Sequence, residues 1–133
     1  MRINRTAPLL VAGLAMLPVI PASAADWAKA QRVAVVTTEY KFTPNSLTFH
    51  KGAAYRLHID NKGKETHEFT APDFFKAIQM RDAKALNADR TEITVQPGQH
   101  KDLYFVATTP GSFKLICSDH DWAGMTGDIT IMP

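Results

Sequence analysis

The residues best equipped for chemistry lie in one nine-residue stretch near the C-terminus, "CSDHDWAGM", spanning 117–125. Cys117 is the only cysteine in the chain, and His120 and Met125 follow it with the spacing C-x2-H-x4-M. A thiolate and an imidazole three positions apart can converge on one ion where a strand ends and the chain turns. The Met125 thioether returns just before Gly127, where the last apolar run begins. Thiolate, imidazole and thioether together suit copper in both its oxidation states better than magnesium or calcium. Zinc takes cysteine and histidine but gains little from a thioether. Read alone, Cys117 is better explained as a buried thiol, and Met125 fits core packing.

A centre with two imidazoles, one thiolate and a weak axial thioether needs a second histidine from elsewhere. His67, in "KETHEFTAPD", is the best placed: it follows a strand-like run and the turn "NKGK", precedes the apolar Phe69, and is expected in a loop that a sandwich can set at the same end as 117–125. His58 falls on the polar face of an alternating run, while His50 ("HKG") and His100 ("PGQHK") sit beside turns. All three read as solvated, and Met80 is a lesser candidate for a contact near the site, better explained as packing. A nucleophilic Cys117–His120 pair is the enzymatic alternative. It leaves Met125 and His67 unexplained and offers no third group to orient the histidine. A binuclear copper loop needs a second thiolate where Asp121 stands, and multicopper chemistry needs His-x-His pairs, which the sequence lacks. The expectation is therefore a protein that is not itself an enzyme.

The N-terminus bears on where such a thiol can survive. Arg2 and Arg5 precede an apolar run from Ala7 to Ile20, and Ala22-Ser23-Ala24 supplies the small-x-small pattern of a cleavage site. The run is shorter than the ~20 residues of a spanning helix. Residues 1–24 are thus expected to be a signal peptide, with export to a periplasm, no membrane anchor after cleavage, and 25–133 forming a single domain. The formal charge of +2 loses two arginines with that segment, so the mature chain is near neutral and nucleic-acid binding has no electrostatic support. A lone cysteine in an oxidising compartment must be buried, paired with another chain or held by a metal.

Strands must position these residues. Apolar and β-branched runs recur between Pro, Gly and Asn signals: Arg32 to Phe42 as one strand, Ser46 to His50, and Tyr55 to Asp60, where Tyr55, Leu57 and Ile59 alternate with polar neighbours. Further runs at 92–95, 101–107, 112–117 and 127–132 are separated by "QPGQ", "TTPG" and "DHDWAGMTG". The spacing predicts an antiparallel sandwich or barrel. The segment 71–89 is the least strand-like and is expected to hold a short helix or an irregular crossover.

With "THEF", "GSFKLIC", "CSDHDWAGM" and a final "GDITI" in place, residues 31–133 resemble the cupredoxins, in particular plastocyanin-like and pseudoazurin-like proteins. The resemblance implies an all-β Greek-key sandwich with a short helical or irregular piece around 73–88. It also implies one type 1 copper ion cycling between Cu(I) and Cu(II), with His67, Cys117 and His120 as equatorial ligands and Met125 as the axial one. The implied function is a periplasmic one-electron carrier between redox partner proteins, and nothing demands more than a monomer. The alternative is copper tolerance, storage or delivery, with copper donor or acceptor proteins as partners. Many members carry Asn directly after the first ligand histidine, where it helps to tie the ligand loops; Glu68 stands there in this chain. Asp119 and Asp121 flank His120 as solvated charges, and Trp122 fits either the core or an apolar rim.

Overall fold

The computed structural model describes Pro18 and residues 21–133, so nearly all of the expected signal segment 1–24 lies outside the described residues. Among the described residues the chain forms β1 (Gln31–Thr38), β2 (Lys41–Thr43), β3 (Ser46–His50), β4 (Ala54–Asn61), β5 (His67–Thr70), a five-residue helix α1 (Pro72–Lys76), β6 (Ile78–Met80), β7 (Glu92–Val95), β8 (His100–Ala107), β9 (Gly111–Ile116) and β10 (Thr126–Met132). One sheet runs β2-β1-β4-β8-β6 and the other β3-β10-β9-β5-β7. The chain crosses between the layers repeatedly, the Greek-key wiring of a β-sandwich.

The alternation read in β4 holds along its whole length, burying Tyr55, Leu57, Ile59 and Asn61 on one face. Phe49 sits at the middle of the core, its ring centroid 4.8 Å from Tyr55, 5.1 Å from Phe105 and 5.5 Å from Phe74. Aromatic packing of this kind dominates the energetics of a small core.

Four expectations need correction. The run Arg32 to Phe42 is not one strand: it breaks at Glu39-Tyr40, and β1 folds back on β2 with Thr38 opposite Lys41. At the break the Glu39 carboxylate accepts the backbone N–H groups of Lys64 and Glu65, which a continuous strand would not offer it. The sandwich is mixed rather than antiparallel, because β1 pairs parallel to β4 and β3 parallel to β10. Nor is 71–89 only helix or crossover, since it contains β6, which extends the first sheet beside β8. His67 opens β5 rather than lying in a loop.

Candidate metal centre

Register brings the predicted residues together. β5 pairs antiparallel with β9 through Thr70 and Ile116, so Cys117, one residue past β9, comes level with Phe69 and next to Glu68. The Glu68 backbone N–H donates to Cys117 Sγ at 3.4 Å. Beyond Cys117 backbone bonds close the chain on itself. Cys117 N–H donates to the Met125 carbonyl at 3.0 Å, His120 N–H to Cys117 at 3.1 Å, and Met125 N–H to His120 at 3.3 Å. A single 3₁₀ turn over Asp121–Ala123 ends at Gly124, whose φ of 82° is one that a side chain would strain.

His67, Cys117 and His120 form one cluster, their ligand atoms all within 4.8 Å of one another. Cys117 Sγ lies 4.0 Å from His67 Nδ1 and 3.4 Å from His120 Nδ1. Cys117, Met125 and His67 are buried, while His120 keeps 11% of its side chain exposed. Met125 is buried and is tied by its backbone to Cys117 and His120 through the closed loop. The structure leaves the other candidates out. Met80 lies in β6 opposite Phe105, and His50 and His100 are exposed on other strands. His58 is not simply solvated as expected, because its Nδ1 sits 2.8 Å from Asp102 and its ring lies 4.9 Å from that of His100. Trp122 is 76% exposed, which decides for the rim, and Asp119 and Asp121 are exposed.

Carboxylates surround the cluster. Burial pushes the Cys117 thiol up to about 11, and the Glu68 carboxylate adds to this against the pull of the Glu68 N–H. Without a cation the sulfur therefore keeps its proton, donating it to Glu68 Oε2 at 3.1 Å. Glu68 itself is buried. Glu39 Oε1 lies 3.3 Å from His67 Nε2. The backbone donors of Glu65 and Lys64 hold the Glu39 carboxyl down to about 2, overcoming the opposing effect of desolvation. Glu65 Oε2 lies 2.7 Å from His120 Nε2. The Tyr40 hydroxyl donates to Glu65 Oε1 at 3.1 Å, and the Tyr40 ring lies 4.7 Å from that of His120. That carboxylate raises the Tyr40 hydroxyl's pKa. Sequence reasoning missed Glu39, Tyr40 and Glu65. The acids around His67 in "KETHEF" were a visible signal; Glu39 had none, lying inside an apparent strand.

Two imidazoles presenting Nδ1 to a buried sulfur, with a buried thioether in the same loop, fit copper's preference for mixed nitrogen and sulfur donors. A family model described as a cupredoxin-like domain matches residues 9–131. The copper-resistant cuproprotein CopI of Rubrivivax gelatinosus is 31% identical over 115 residues, covering 80% of this chain and 70% of that protein. Among solved structures, the dithionite-reduced auracyanin of Roseiflexus castenholzii superposes with a TM-score of 0.59 at 21% identity, over 78% of this chain and 98% of its own. Auracyanin B gives 0.59 at 23% identity, over 78% and 90%. A multicopper oxidase from Campylobacter jejuni gives 0.56 at 14%, over 78% of this chain and 30% of its own. At these identities the structural likenesses speak for the fold.

Proposed function

This chain belongs to the cupredoxin-like domain family, and we propose on that premise that it is a periplasmic one-electron carrier built around one copper ion. His67, Cys117 and His120 are the equatorial ligands in this reading, with Met125 the weak axial donor. The observation that carries it is the assembled trio, with His67 and Cys117 buried, His120 partly exposed, and the 117–125 loop held by backbone hydrogen bonds that need no ion. Bound there, copper would supply a Cu(II)/Cu(I) couple. The chain's own contribution is to keep the donors still, so that little rearrangement accompanies each electron. Exposed Trp122 beside partly exposed His120 gives a redox partner an apolar place to dock. Copper(II) added to the purified protein should produce an intense thiolate-to-copper absorption band that Cys117→Ser abolishes. A colourless protein that still binds Cu(II) would overturn the reading.

A second reading, copper tolerance or delivery, is favoured by one specific contact: Glu65 places a carboxylate across the His120 edge that a partner would otherwise meet. The relative named for copper resistance adds to it. Reversible voltammetry together with slow copper loss to a chelator supports the electron carrier. Rapid loss with sluggish electrode response supports the copper carrier.

A further inference from the structure

We propose that Glu39 and Glu65 are positioning residues, each holding the Nε2–H of one histidine so that both rings present a bare Nδ1 toward Cys117 before any ion arrives. The inference rests on the copper reading for its purpose, though not for its geometry. A neutral imidazole carries one N–H, and an ionised carboxylate can only accept. A carboxylate at 3.3 Å from His67 Nε2 and another at 2.7 Å from His120 Nε2 therefore place both protons on Nε2. The lone pairs are left on Nδ1, the two atoms that face the sulfur at 4.0 and 3.4 Å. The His67 side chain is wholly buried, so bulk water cannot substitute for Glu39.

The two glutamates are not independent. Besides His67, Glu39 Oε1 accepts the Lys64 and Glu65 backbone N–H groups at 2.6 and 2.9 Å. A Cβ on Gly63 would run into the same carboxylate, so glycine is what lets the loop approach. Buried Asn61 holds the loop from its other side. Its Nδ2 donates to the Glu65 and Val95 carbonyls, each at 2.8 Å, and its Oδ1 accepts the Gly63 N–H at 2.9 Å. Residues 62–65 are thereby fixed, and with them the Glu65 carboxylate, which Tyr40 steadies from the far side. Glu39 thus positions His67 directly and His120 through the loop.

Loss of the hydrogen-bond partner of a metal-ligating histidine typically costs about 10- to 100-fold in metal affinity. The test uses ¹⁵N NMR of the metal-free protein above the imidazole titration range, with chelator competition for copper. Wild type should show both rings as the Nε2–H tautomer. Glu65→Ala should mix tautomers at His120 alone and weaken copper by about 10- to 100-fold. Glu65→Gln, whose amide oxygen still accepts, should restore the tautomer and most of the affinity. Glu39→Ala should disturb both rings; if it does not fold, the exposed Glu65 variants decide. An Nδ1–H tautomer at either ring in wild type, or Glu65→Ala with His120 and affinity unchanged, would overturn the proposal. Absence of a thiolate-to-copper band in wild type would instead sink the copper reading, while the tautomers still judge the positioning.

Discussion

At Cys117 the sulfur meets a carboxylate as well as two imidazoles, and that carboxylate belongs to Glu68, where many relatives were expected to carry Asn. The substitution keeps the tie between the loops, because the Glu68 backbone N–H still donates to the sulfur. The meeting of His67, Cys117 and His120 was legible because chemistry confines two of them to one short loop and leaves few histidines to complete the set. Glu39 and Tyr40 were not legible, since they act through space from a stretch whose local pattern says strand; Glu65, two residues before His67, carried a signal that was passed over. Met125 is the proposed ligand whose role can be isolated without breaking the centre. Met125→Leu conserves volume, so stability should fall by less than about 1.5 kcal/mol. The colour should survive and the reduction potential should rise, as a weak donor to Cu(II) is lost; voltammetry of the two proteins checks this, and an unchanged potential reduces Met125 to packing.

Among the elements, β4 shows both the strength and the limit of reading alternation. Its buried face was correct residue for residue, yet its outer face is no row of solvated side chains. There Asp102 of β8 accepts from Arg56 Nε and Nη2 at 2.9 and 3.2 Å and pairs with His58. Burial pushes the Asp102 carboxyl upward, but Arg56 and His58 outweigh it and hold the group below its ordinary value. A depressed folded pKa means stabilisation complete above the ordinary carboxylate range and lost as pH falls through the depressed value. Asp102→Asn should cost on the order of 1 kcal/mol at pH 7 after allowance for solvent screening. It should also flatten the acid limb of stability, which urea unfolding between about pH 7 and pH 3 would measure. The break between β1 and β2 was the element-level surprise, because nothing local in "VVTTEYKF" signals it. What the break gains is a pair of backbone donors in a loop some 25 residues further on.

For the whole molecule, a sandwich followed from many short strands between turn signals, a pattern each strand carries in itself. Which strands pair in parallel did not follow, because β1 with β4 and β3 with β10 are meetings of distant segments. Both layers converge on Phe49, and Phe49→Ala should cost about 3–5 kcal/mol in urea unfolding, the range for emptying a buried aromatic site. Glu39 belongs to the layer of β1 and β2, whereas its imidazole partner opens β5 in the opposite layer. The ion's surroundings therefore straddle the seam of the sandwich. A slide of one sheet across the other would pull on the His67 ring through Glu39. With copper in place, the hue of the protein becomes a strain gauge for the alignment of its two halves.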